Sequence, residues 1–370
     1  MLYKEDWEET QEEFKAFWKL ENKKPLVAVT APRREPVGTI EPLPVPAEIA
    51  KLNTDCWYAW ALDPDFAVNR AEINFNNTFY GGAAFPFQMV SFGPDMIAAY
   101  LGVEPTFEKN TTWFRNPVIK DWDNLPSFQY DPENKWWKIT KRLAEKLAEK
   151  GKDRFVVAMT DIAGGPDTLV SLRGATNLLL DFVDHREEVK ALIAHIHLLW
   201  IQWYEELYHI IQKGQSGIGS WLGLWSPGKH SVLQCDFAHM VSPEMFEEMV
   251  IPYLKKQCDY LDETIYHLDG KGQLVHLDSL LNLPGLNGIQ WSVPVSGVDP
   301  PYDSLHWLPY FRRIQDAGKI LQIINVEPRN VNSLVNSLCH QGLFLNADLF
   351  TGPTFDSEKE AKQFLKEVVK

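Results

Sequence analysis

A regular alternation of short apolar runs with amphipathic helices, from about residue 135 onward, most constrains what this chain can fold into. Strand readings fall at Phe155–Thr160, Ser231–Asp236, Thr264–Asp269, Gly288–Val293, Lys319–Ile324 and Leu343–Asp348. Helical periodicity covers Trp137–Lys150, Asp167–Phe182, Arg186–Lys213, Ser242–Leu261, Tyr302–Ala317 and Ser357–Val369, with shorter helices from Val275 and Asn330. Ser242 suits an N-cap and Pro243 a first helical residue. Strand, helix and strand in succession require crossovers, and crossovers make neighbouring strands parallel. An earlier apolar run, Pro25–Thr30, adds another strand. An eighth is Gly217–Leu222, or it lies between Pro32 and Asn134. No Gly-x-Gly-x-x-Gly or Walker sequence opens a helix, so an open doubly wound sheet loses its commonest support. The pattern predicts a single TIM (β/α)8 barrel.

The start of the chain reads differently. Glu5–Glu21 places Trp7, Phe14 and Trp18 at helical spacing. From Pro32 to Asn134 the chain is irregular and rich in Pro, Gly and aromatics, with one helix at Asp95–Leu101. The expected organisation is one domain over 1–370: an irregular part, 1–134, covering one mouth of the barrel, then regular βα units over 135–370. A chain of 370 residues, 45% hydrophobic, has material for one large core. A net charge of −14 argues against a nucleic-acid backbone or an anionic membrane surface as partner. Every apolar run is too short for a membrane span, and Met1–Trp7 lacks a signal-peptide layout. Cys56, Cys235, Cys258 and Cys339 form no Cys-x-x-Cys pair, which excludes a zinc knuckle and fits reduced thiols in a cytoplasmic protein.

In a barrel all strand C-terminal ends open on one face, and that face carries the site. One strand there ends Tyr266-His267-Leu268-Asp269-Gly270, and side-chain alternation puts His267 and Asp269 on the same face. Asp161, Asp236, Gln290, Ser292 and Asp348 also fall at strand ends. Carboxylates gathered on one face need a cation, a shared proton or a raised pKa. A divalent ion on His267, Asp269 and Asp348 meets that need most simply, with Asp236 and Asp161 left to move protons or orient substrate. Each Asp also has a plainer reading, since Asp161 and Asp236 could cap the helices that follow them. His267 could be a satisfied core histidine, and His239, His276 and His306 read as surface or supporting residues. Trp221 and Trp225 flank a glycine-rich stretch, Gly217–Gly228, and Trp291 sits beside Gln290. These tryptophans and Gln290 are the candidate pocket wall. Indole faces suit a methylated ammonium, a sugar or a flat macrocycle, or they simply pack loops onto the barrel.

The run Asp236–Lys256, with Ser242-Pro243-Glu244 and Pro252-Tyr253 inside it, resembles a characteristic segment of the uroporphyrinogen decarboxylase superfamily, which also holds methylcobamide-dependent methyltransferases. Gly165–Leu169 with Leu178–Phe182, and Asn325–Pro328, resemble further segments of it, so the likeness runs from about Phe155 to the C-terminus. The resemblance implies a TIM barrel. It also implies a zinc site with a His-x-Cys strand end and a second cysteine at the last strand. The matching positions here are His267, Asp269 and Asp348, with aspartate in place of both cysteines. Carboxylates are harder ligands than thiolates and point away from a thiol as methyl acceptor. The decarboxylase pattern fits less well: Arg33 and Arg34 lack its spacing, and Gln88 stands nearest its cleft aspartate. The expected function is therefore methyl transfer from a small methylated substrate, with a corrinoid on a partner protein and a divalent ion, zinc first. In this reading His267, Asp236 and Asp161 are catalytic, and Trp221, Trp225, Gln290 and Trp291 bind substrate. A decarboxylase of a small acid or tetrapyrrole, with His267 or Asp236 as proton donor, is the alternative. A non-catalytic ligand-binding barrel is the third reading, and a homodimer is compatible with each.

Overall fold

Leu26–Pro32 is a run of small and branched residues, apolar except for Thr30 and buried along all but its last position. A strand apolar on both faces belongs inside a covered parallel sheet. The computed structural model, which describes residues 1–52, 56–109, 111–292, 299–347 and 352–368, places it there. The strands in chain order are β1 (Leu26–Pro32), β2 (Thr78–Gly82), β3 (Phe87–Met89), β4 (Thr106–Glu108), β5 (Thr111–Trp113), β6 (Val156–Ala158), β7 (Ile218–Gly219), β8 (Trp225–Ser226), β9 (His230–Gln234), β10 (Glu263–Asp269), β11 (Gly288–Ser292), β12 (Ile320–Ile323) and β13 (Leu343–Asn346). A seven-stranded sheet runs β2-β1-β13-β12-β11-β10-β9, parallel except for β2. A smaller sheet runs β3-β6-β7-β8, parallel except for β8, and β4 and β5 form a hairpin. Among the described residues no strand pairing joins the two sheets. The fold is thus α/β with a mostly parallel central sheet. Among the described residues no helix is long and apolar enough to cross a membrane.

Register lays a polar row across four strands. Gln234 pairs with His267, His267 with Gln290, and Gln290 with Gln322. Paired residues in parallel strands share a face, so all four side chains point the same way. One step further along the strands, Asp269 lies opposite Ser292. Near the strand N-terminal ends the helix Trp7–Trp18 packs Phe14 and Phe17 on Phe344, with ring centroids 5.9 and 6.1 Å apart. Phe14 also touches Phe85, and the Trp18 indole N–H donates to the Trp225 carbonyl at 2.9 Å. Burying one such aromatic side chain is worth on the order of 1.5–3 kcal/mol.

Several predicted elements differ in detail. Asp167–Phe182 is two helices, Gly165–Arg173 and Ala175–Asp184, broken at Gly174, whose φ is 88°. Ser242–Leu261 is also two, Pro243–Met249 and Ile251–Tyr260, because Pro252 lacks an N–H and its ring would crowd the carbonyl one turn back. The irregular part is less irregular than its composition suggests. It holds the helix Pro64–Asn77, started by Asp63 accepting the Phe66 N–H at 3.0 Å, and it contributes β2 and β3 to the two sheets.

Candidate metal centre at the strand ends

β10 ends at Asp269, and Gly270 follows it with a φ of 84° that turns the chain away and an N–H that donates to the Ser292 carbonyl at 2.7 Å. Asp236 stands just past β9, at the start of a short 3-10 helix, Asp236–Met240. One ligand atom from each of Asp236, His267 and Asp269 lies within 4.8 Å of the others. The tautomer of His267 follows from its neighbours. The Gln290 amide nitrogen donates to the Trp291 carbonyl at 2.6 Å, so its oxygen faces the imidazole. That oxygen accepts from Nδ1–H of His267, which leaves Nε2 with its lone pair. A ring held through one nitrogen and, among the described residues, free at the other is the usual arrangement of a metal-ligating histidine.

The surroundings are densely acidic. Burial raises the pKa of Asp161 to about 6; the N–H of Ala163, donating at 3.1 Å, lowers it, while Asp236 adds to the rise. Burial also pushes Asp236 up; His267 opposes the rise and Asp269 reinforces it. Asp236 is open to solvent at the strand ends, yet protein surrounds it on most sides. Asp167 accepts the backbone N–H groups of Asp236 and Phe237 at 2.9 and 3.0 Å. Burial, then Asp236, holds its carboxyl well above the ordinary range. Behind it, burial raises Asp95 to about 7, although Thr168 donates to it at 2.6 Å and Ser171 also bonds it. Such crowding is relieved by protons or by a cation. One imidazole nitrogen and two carboxylates match the N/O donor set that zinc takes at about 2.0–2.2 Å, and an oxygen-rich shell also admits manganese, iron or magnesium.

The sequence-predicted residues divide. Asp161, Asp236, His267 and Asp269 come together. Asp348 lies outside the described residues. Gln290 is present but supports His267 and does not line the cavity described next. Trp221 stands edge-on to the His267 ring, with centroids 5.0 Å apart, and also lines a cavity of about 420 Å³. Thr30, Phe87, Met89 and Asn346, from β1, β3 and β13, share that lining. Trp57 lines it too and stacks on Tyr58, whose hydroxyl pKa is raised by burial and then by Asp161. The expected walls Trp225 and Trp291 are elsewhere. Trp225 is buried with its ring 5.8 Å from Trp7, beside the N-terminal helix. Trp291 follows Gln290 on one strand and so faces the opposite way, packing on Trp307 and Phe311 of the outer layer.

Asp95 and Asp167 are cluster members that the strand-end argument misses, because both stand at helix starts. Their signal in the sequence is a repeated tripeptide, Gly93-Pro94-Asp95 and Gly165-Pro166-Asp167. Compared with known proteins, the chain matches no family model and no curated protein.

Proposed function

We propose that this chain is an enzyme that transfers a methyl group from a small, uncharged methylated substrate to a corrinoid carried by a partner protein, using a divalent ion held by Asp236, His267 and Asp269. The observation that carries the proposal is the convergence of these three side chains beside an aromatic cavity. The two sheets are read as arcs of one TIM barrel of the uroporphyrinogen decarboxylase type. Contacts between the large sheet and segments beside the small one support this: Gln322 on β12 donates at 2.7 Å to the carbonyl of Leu222, between β7 and β8, and Phe14 of the N-terminal helix touches both Phe344 on β13 and Phe85, just before β3. The corrinoid partner rests on the sequence resemblance over Asp236–Lys256.

The residues have distinct tasks. His267 presents Nε2 while Gln290 fixes its ring. Asp236 and Asp269 supply negative charge, and Asp167 holds Asp236 in place through the backbone. When bound, zinc supplies Lewis acidity at the substrate heteroatom. Asp161, with a pKa of about 6, exists in both protonation states near neutral pH and serves as proton donor to the leaving heteroatom. Among the described residues the cavity lining carries no charged side chain; Thr30, Asn74, Thr78, Tyr80 and Asn346 are its polar residues, beside the indoles of Trp57 and Trp221. It therefore favours a neutral, flat substrate body over an anionic one. A second reading, decarboxylation of a small acid, is favoured by Asp161 alone as a proton source.

The test is turnover. Zinc-loaded protein is incubated with free cob(I)alamin and a panel of methyl ethers, thioethers and methylamines, and methylcob(III)alamin is followed by its absorption. Methylation with at least one neutral substrate, lost in Asp161→Asn, is expected. No methylation across the panel, with CO2 release from a small carboxylic acid instead, replaces the proposal by the second reading.

A further inference from the structure

A second cavity, of about 300 Å³, lies between the helix Arg186–Ile211 and the helices Pro243–Met249 and Ile251–Tyr260. Its apolar wall includes Ile193, Met249, Pro252 and Tyr253. His197 forms part of the wall and is only 4% exposed. Its Nδ1 is fully buried and, among the described residues, has no hydrogen-bond partner. That nitrogen is sealed from the cavity, so the ring can reach a ligand there only through Nε2. Two cations, Lys190 and Lys256, and one carboxylate, Glu248, stand at the same cavity. Lys190 is engaged by Glu187 and Glu248, and Glu248 is further neutralised by Arg186. Lys256 is exposed and makes no ion pair among the described residues. Burial, and then the charge of Lys256, push the pKa of His197 down to about 4, so the ring is neutral and carries one N–H to donate. An unpaired ammonium, a neutral imidazole and an apolar wall therefore converge on one space.

We infer that this cavity binds a small carboxylate with a short apolar tail, its carboxylate taken by Lys256 and His197 and its tail by Ile193, Met249 and Pro252. The inference stands independently of the methyl-transfer reading. Its interest lies in Tyr253, which forms part of this cavity. The same ring fills the space over Gly164 and Gly165, where a Cβ on Gly164 would fall 1.9 Å from the Tyr253 hydroxyl. The hydroxyl itself donates to the Ala163 carbonyl at 3.3 Å. Those residues form the loop between Asp161 and Asp167, so one side chain touches both the second cavity and the support of the strand-end cluster.

Calorimetric titration of the full chain with sodium butyrate tests the site, with sodium phosphate as the comparison anion. Saturable butyrate binding is expected, weakened about tenfold or more in Lys256→Met, which keeps the apolar stem, and in His197→Phe. Because Lys256 is exposed, its variant retains the fold. His267→Ala should bind butyrate as the parent does, which separates this cavity from the strand-end site. Phosphate should bind at least tenfold more weakly than butyrate. Absence of saturable butyrate binding, equal binding by Lys256→Met, loss in His267→Ala, or phosphate binding as tight as butyrate would each overturn the inference.

Discussion

At the scale of single residues, strand parity decides which side chains reach the site. Gln290 and Trp291 are neighbours in sequence, but only Gln290 shares the face of His267; Trp291 is committed to the outer layer. The alternation that paired His267 with Asp269 applies equally here and separates these two. Asp95 gives the cleanest titration. Its folded pKa, about 7, lies above its unfolded value, so between about pH 4 and pH 7 the folded state holds a proton that the unfolded chain has released. Stability from this group is complete below that window and is lost as pH rises through about 7. Asp95→Asn should remove this dependence, leaving the variant more stable relative to the parent at pH 8 than at pH 5, by roughly 2–4 kcal/mol. Urea denaturation at both pH values reads the effect, and parallel pH profiles for parent and variant would refute the buried-acid assignment.

At the scale of elements, strands were legible because buried parallel strands are nearly continuous apolar runs. β10 and β11 begin within one residue of the sequence reading. Helix breaks were less legible, since helical periodicity continues across Gly174 and Pro252 and only the backbone chemistry of those residues marks the interruption. The helix Pro64–Asn77 was hidden by the aromatic-rich composition around it, although Asp63-Pro64 is an ordinary start signal. The turn between Asp161 and the helix that carries Asp167 was not legible, since the sequence marks Asp161 only as a strand end and leaves the backbone after it open. Ala163, Gly164 and Gly165 have φ values of 46°, 121° and 55°, and Tyr253 presses on the two glycines. Gly164→Ala meets both a strained backbone and a collision, and should cost about 2–4 kcal/mol of stability. It should also weaken metal binding by displacing Asp167 from the Asp236 backbone. A stability equal to the parent in thermal unfolding would show that the loop is not held as described.

At the scale of the molecule, a chain of net charge −14 collects Asp95, Asp161, Asp167, Asp236 and Asp269 around one face. The N-terminal helix works at the other end of the strands. Phe14→Ala should cost roughly 3–5 kcal/mol through the cavity it leaves between Phe85 and Phe344, with metal affinity unchanged. Coupled loss of both in one calorimetric series would mean that the two ends of the fold are not independent. The strand-end site was readable to the extent that its ligands sit on a strand, as His267 and Asp269 do, or just past one, as Asp236 does; Asp95 and Asp167 were not, because they come from helix starts folded in from distant sequence. Zinc titrated into metal-free protein, followed by calorimetry and metal analysis, should bind at one site per chain and raise stability by about 2.7 kcal/mol at a hundredfold excess over Kd. Gln290→Ala should weaken that binding by about 10–100-fold, and His267→Ala should abolish it while leaving the circular dichroism spectrum unchanged. Full metal content in His267→Ala, or no uptake of zinc, manganese or iron by the parent, would contradict the central claim.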